Sequence, residues 1–366
     1  MASGGFGIVQ MGQAEGNAGT LWAFVAPFFQ HVTWEGMSLW DLIQPAFMFM
    51  VGVSLPFSYA HREQLGHGWL RMFGHAFTRA IILVLLGVFL SSIGLDRTNW
   101  VFTNVLSQIG LGYCFVFLLW RTGAVMQISY IAAVLLGYGA MFFYHDLMDV
   151  GMSLADLGLP ESGTLSGWFA PFSAHTNFAA TFDRWFLNLF PRSDFWMMDA
   201  EGSHTLNFVP AVATMVMGLM AGELLRSNDD PDVKFQKLLL AGVPCLVVGV
   251  FAGVTICPIV KRIWTPSWVL FSGAFVIWTL AAFYYVIDVW GRKRWAFPLV
   301  VLGMNSILVY FMAQLASPWI IDMLKLHCGS DLFSGSYSPV IQSCSVMAVM
   351  WVICCFLYFR KIFLRI

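Results

Sequence analysis

Long apolar runs separated by short polar turns set the pattern of this 366-residue chain. A helix needs roughly 20 largely apolar residues to cross a bilayer. Such stretches recur at Trp40–Ala60, Arg79–Leu95, Val101–Trp120, Ala124–Tyr144, Leu206–Leu225, Leu238–Cys257, Ser267–Ile287, Phe297–Ala316 and Pro339–Phe359. A closed barrel would instead show short alternating segments. These continuous runs predict an all-α fold, a polytopic transmembrane helix bundle with about nine spans.

Composition points the same way. With 59% hydrophobic and 11% charged residues and a mean hydropathy of +0.74, a soluble fold would lack a surface. Cations gather in the loops that stay in the cytoplasm. If Asp41 lies outside, the inner side carries Arg62, Arg71, Arg79, Arg121, Arg226, Lys234, Lys237, Arg292, Lys293, Arg294, Arg360, Lys361 and Arg365. The outer side keeps Arg97, Arg184, Arg192, Lys261, Arg262 and Lys325. The bias predicts a multi-pass protein of the cell's inner, or cytoplasmic, membrane, with a cytoplasmic C-terminus and His31 on the periplasmic or outer side. A net charge of −1, with basic residues accounted for by topology, suggests no nucleic-acid partner.

Residues 1–37 form an N-terminal interfacial segment, since Leu21–Phe29 is apolar yet too short to cross. Residues 38–366 form the membrane domain, and 144–205 its large outer loop. That loop holds Trp168, Phe172, His175, Trp185, Phe190 and Trp196, which suit either a headgroup-level aromatic belt or platforms for sugar rings. The acidic turn Ser227–Asp232 suggests no site. Most of the seven cysteines fall inside spans as small apolar fillers. Cys257 and Cys328 both fall near the outer edge, and their pairing stays open.

The chemistry-bearing stretch is His31-Val-Thr-Trp-Glu35-Gly-Met-Ser-Leu-Trp-Asp41, a histidine and two carboxylates at the mouth of the first span. Ionisable groups beside hydrocarbon are costly and read as functional, with a partner close by. His31 is the candidate general base, because imidazole titrates near working pH. Asp41 is its candidate orienting partner, a helix cap, or both together. Lys261 and Arg262, just before Trp264, run against the cation rule. They are candidates, with Trp264 beside them, for substrate or donor binding, the cations clamping an anionic acceptor or donor phosphates or else snorkelling to headgroups. Gln108, Asn305 and Ser306 are intramembrane polar groups suited to substrate contact or to helix–helix hydrogen bonds. Phosphate loops, dinucleotide fingerprints and the zinc-protease helix are absent. Asp199-Ala-Glu201-Gly-Ser-His204 has no standard metal spacing, so no metal is expected.

Four segments carry a family resemblance in register: Trp34–Pro56, Val105–Tyr113, Pro258–Leu270 and Phe297–Tyr310. Together they resemble the heparan-alpha-glucosaminide N-acetyltransferase-like membrane acyltransferases, with this chain as a bacterial-type member. The resemblance implies a transmembrane O/N-acetyltransferase that takes an acetyl group from cytoplasmic acetyl-CoA and delivers it to an amino sugar or glycan on the outer side. It puts the family's active-site histidine at His31. Family members often have Gln-Arg where this chain has Ser107-Gln108. The family's first spanning helix has no counterpart in residues 1–30, so an upstream crossing helix is expected to be missing.

The expected partners are therefore the lipid bilayer, a small-molecule acyl donor and a sugar or glycan acceptor, with homo-oligomerisation left open. A transporter or flippase of a lipid-linked or small sugar is the alternative from another class, since broken helices and midplane polar groups also mark carriers. The halves show no convincing internal repeat. A structural subunit without chemistry is the third reading.

Overall fold

The computed structural model describes residues 2–14, 17, 19–145 and 163–364. Residues 146–162 of the expected outer loop, and Arg365, lie outside them. The described helices are α1 Ile8–Gln13, α2 Leu21–Val25, α3 Ile43–Gln64, α4 Trp69–Ser91, α5 Val105–Leu119, α6 Ala124–Phe143, α7 Phe178–Phe186, α8 Phe208–Arg226, α9 Pro231–Thr255, α10 Pro266–Tyr284, α11 Phe297–Gly303, α12 Ser306–Leu315, α13 Ser317–Cys328 and α14 Ser338–Phe359.

Among the described residues, seven helical stretches are long and apolar enough to cross a membrane, and an eighth forms if the bent pair Arg294–Gly303 and Ser306–Leu315 counts as one span. The protein is a multi-pass helical membrane protein. The expected span at Val101–Trp120 is α5, a shorter apolar helix of 15 residues. Its limits have local causes. The Asn104 side chain accepts from the Ser107 N–H and caps the start, while the left-handed Arg121 (φ 72°) turns the chain away after the end. The second expected span begins at Trp69 rather than Arg79. Its first turns are amphipathic, with Trp69 and Phe73 stacked 5.3 Å apart on one face, so Arg79 lies inside the helix. The expected continuous span at Phe297–Ala316 is broken at Asn305 and bent by 67°.

Two compact units are distinguishable. One comprises Met1–Val32, Ser38–Asp41 and Tyr285–Ile366, the other Thr33–Met37 and Leu42–Tyr284. In the first, α14 packs on α1, α11 and α13, with Ile320 and Ile321 meeting Val346 and Met350. Phe6 and Phe29 enclose the Trp40 ring at centroid distances of 5.4 and 5.9 Å. Cys328 is an exposed free thiol.

In the second unit α8 is the central helix, packed by α3, α5, α6 and α10. Apolar lipid offers helices no hydrophobic incentive to associate, so close backbone approach matters most. Gly52 of α3 lies against the Met215 carbonyl of α8, and Gly218 and Gly222 of α8 lie against the Phe49 and Val53 carbonyls of α3. A methyl group has no room at any of these three contacts. The far end of the bundle wraps Trp34, whose indole N–H donates to the Phe172 carbonyl at 3.1 Å, in a core with Tyr138, Phe142, Phe172, Val260 and Ile263. Of the loop aromatics, Phe172 is buried and stacks on Phe142 at 5.1 Å, while Trp168 and Trp185 stay exposed. Cys257 is a buried free thiol beside Ser267, with Sγ and Oγ 3.5 Å apart.

Replacing Gly218 by Val should force α3 and α8 apart and destabilise the protein by about 2 kcal/mol or more. Gly74→Ala on open surface should be neutral or slightly stabilising. Thermal unfolding of the two purified variants in one detergent checks the contrast, and an unchanged melting temperature for Gly218→Val would refute the packing argument.

Candidate active site

In the first unit, the sequence Ser38-Leu-Trp-Asp41 opens a short 3-10 turn, Trp40–Leu42, that leads into α3. Ser38 and Asp41 cap it reciprocally. The Asp41 N–H donates to Ser38 Oγ at 3.3 Å, and Ser38 N–H and Oγ–H donate to Asp41 Oδ2 at 3.0 Å each. This is a capping box, a serine and an acid three residues apart before an apolar run. Val32 N–H adds a third donor to Oδ2 at 3.3 Å. The other carboxylate oxygen, Oδ1, meets His31 Nδ1 at 2.7 Å. One Asp41 oxygen thus takes part in the cap and the other lies within hydrogen-bond distance of the imidazole.

Asp41 is 1% exposed and the His31 side chain 39% exposed. A buried carboxylate already accepting three hydrogen bonds is the acceptor toward the ring, so Nδ1 carries the proton and Nε2 the lone pair. The cap fixes the carboxylate, and the carboxylate fixes the tautomer. Such a pair suits proton abstraction.

Also in the first unit, Asn305 sits buried at the break between α11 and α12. Its amide donates to the Ile362 carbonyl at 3.2 Å and its oxygen accepts from the Leu364 N–H at 2.9 Å. Both ends of the side chain hold the C-terminal tail. Ser306, next in the chain, is exposed.

The remaining expected residues belong to the second unit. Gln108 is buried, and its amide donates to the carbonyls of Phe102 at 2.7 Å and Thr205 at 3.1 Å. Lys261 and Arg262 occupy a turn that also holds Trp264, buried at a left-handed φ of 48°. Arg262 Nη1 donates to the Glu201 carbonyl at 2.7 Å and to its carboxylate at 3.1 Å. Arg262 and Glu201 border a cavity of about 160 Å³, lined also by Thr33, Trp34, Ala174, His175 and Ala200.

The sequence named His175 only among the loop aromatics and His204 only in a run without metal spacing, and gave Asp183 no role. His175 is buried and held below the usual histidine range by that burial, by His204 and by Arg262, against the pull of Asp199. His204 and Asp183 are fully buried 3.5 Å apart, and Asp183 also accepts the Thr205 N–H at 2.8 Å. The available signal was Asp183 itself, a carboxylate sharing the apolar face of α7 with Ala179 and Ala180. His175 carries no such mark, because only the folded loop brings it beside the 199–204 segment.

No protein-family model matches the chain. The chain is 24% identical, over 93% of its length, to mouse heparan-alpha-glucosaminide N-acetyltransferase. To the human protein of the same name it is 23% identical over 91% of its length. It spans 56% and 55% of those two proteins, so the likeness is weak in identity, broad along this chain, and confined to a little over half of each relative.

Proposed function

We propose that this chain is the membrane-embedded part of an acyltransferase that moves an acetyl group from cytoplasmic acetyl-CoA to an amino sugar or glycan on the outer side of the membrane. The observation that carries the reading is the buried, capped Asp41 holding the exposed His31 ring at 2.7 Å. The breadth of the likeness to two acetyltransferases supports it.

In the proposed reaction His31 Nε2 takes a proton from the acceptor amine or hydroxyl as that atom attacks the thioester carbonyl. A C–N or C–O bond forms, the C–S bond breaks, and the proton passes from His31 to the departing thiolate. Asp41 stabilises the imidazolium between those events. Within the second unit, the pocket of Trp34, His175, Glu201 and Arg262, with Lys261 and Trp264 in its turn, is a candidate sugar-binding cavity by itself. A cavity of about 160 Å³ suits one sugar ring, with Glu201 and Arg262 offering an acceptor and donors to its polar edge. Gln108 holds the 204–205 backbone behind the pocket. Asn305 and Ser306 shape the break in the eighth span.

Acetyl transfer from labelled acetyl-CoA to a panel of amino sugars, with the protein in lipid vesicles, tests this. His31→Ala should lower kcat by about 100-fold or more, and Asp41→Asn should lower it by about tenfold or more with the fold retained. Arg262→Ala should raise KM for the acceptor while leaving that for acetyl-CoA unchanged. Full transfer by His31→Ala would end the proposal. A second prediction concerns pH. The unfolded chain takes up the His175 proton near the ordinary value of 6.5 and the folded chain only at lower pH. Stability is therefore complete above that value and falls as pH drops below it. Between about pH 7.5 and about pH 5.5, the melting temperature should fall less in His175→Gln than in wild type.

A further inference from the structure

Three helices of the second unit meet at the end of the bundle opposite the Trp34 core, where α3 finishes, α4 begins and α5 finishes. Arg62 of α3 and Arg79 of α4 are both half-buried there. Arg62 Nη2 lies 2.7 Å from His75 Nε2. A guanidinium can only donate, so Nε2 accepts and the ring proton is on Nδ1. Arg79 Nη1 donates to the Tyr113 hydroxyl at 3.2 Å, and its guanidinium lies 4.9 Å from the centre of that ring. The Tyr59 ring stands edge-on to His75 at 6.4 Å.

Charge here is not balanced by acid. Among the described residues neither Arg62 nor Arg79 forms an ion pair. The acids nearest in sequence or at the same helix ends are engaged elsewhere: Glu63 with Arg121 at 2.8 Å, and Glu223 with the Gln127 amide at 3.0 Å. Arg226 adds a third guanidinium at that end, donating to the Pro56 carbonyl at 2.9 Å. Two further groups of the cluster are buried without a hydrogen-bond partner, Arg79 Nε and His75 Nδ1. Both can donate. Half-buried positive charge is costly without a counter-charge, and unmet buried donors call for acceptors. The complement is an anion rich in oxygen.

We propose that Arg62, His75 and Arg79, with Tyr59 and Tyr113, form a phosphate-binding site at the cytoplasmic end of the helix bundle. Guanidinium forks match phosphate oxygens in pairs, whereas a single carboxylate would leave several donors unmet. The phosphate comes either from a soluble diphosphate ester such as coenzyme A or from an anionic lipid headgroup. The coenzyme A source rests on the acyl-transfer reading, and phosphate binding itself does not.

Binding of pyrophosphate and of unacylated coenzyme A to the purified full chain, in nanodiscs of phosphatidylcholine with or without phosphatidylglycerol, tests the site. Wild type should bind at least one soluble probe, or retain phosphatidylglycerol in native mass spectrometry. Arg62→Gln and Arg79→Gln should each weaken that binding at least tenfold, and Arg360→Gln should leave it unchanged. If Arg79→Gln does not fold, Arg62→Lys serves instead, keeping charge but losing the fork, with an expected loss of several-fold. His31→Ala should bind normally, which separates failure of this site from failure of the acyl-transfer reading. Coenzyme A binding identifies the soluble source, and phosphatidylglycerol retention alone identifies the lipid source. Absence of binding to every probe, or equal binding by wild type and the Arg62→Gln/Arg79→Gln double variant, would overturn the proposal.

Discussion

The close approach of α3 and α8 is the constraint on which the second unit depends. Inside a bilayer the side chains of both helices are as well solvated by lipid as by each other, so association has to come from van der Waals contact and backbone proximity. Gly52, Gly218 and Gly222 remove the side chains that would hold the backbones apart. With α8 seated, α5, α6 and α10 gain a surface to pack on. The helix is then buried along most of its length, and its central stretch is rich in Ala, Met, Val and Gly.

Polar groups in this protein sort by whether their hydrogen bonds are complete. Asp41 is buried and satisfied: three donors occupy one oxygen and His31 the other. That completeness fixes the carboxylate against the imidazole. Asn305 is satisfied too, but by backbone at both ends, and its work is to hold a tail against a helix break. The Arg62, His75 and Arg79 corner is the opposite case, with donors in excess and, among the described residues, no acid paired with them. A satisfied network describes a scaffold, whereas an excess of one polarity describes what the site would accept.

Legibility in the sequence followed the range of the interaction. Helical class and membrane character are local properties, so eight of the nine apolar runs fall on a helix or a broken pair long enough to cross, while Val101–Trp120 holds only the shorter α5. The ends were less legible. Arg79 reads as a boundary because charge normally stops a span, yet the helix begins at Trp69, since an amphipathic entry with stacked aromatics tolerates a charged face. Asn104 shortens α5 by capping it, a signal visible only when the cap is weighed against the apolar run. His31 and Asp41, ten positions apart, were legible as a pair because both flank one span. Ser38 was readable in principle, from its three-residue offset to Asp41.

From sequence alone came the class of the molecule and the pairing of an imidazole with a carboxylate at a membrane edge, because hydropathy, charge and short spacings act over one or two turns of chain. Only the tertiary structure decided which groups far apart in the chain share a site. It set His175 and Glu201 around one cavity with Trp34 and Arg262, buried Asp183 against His204, and left Arg62 and Arg79 without an ion pair among the described residues. Those outcomes depend on how loops and helices distant in sequence pack, and on which side chains lose water when they do. Neither quantity is written in any single segment.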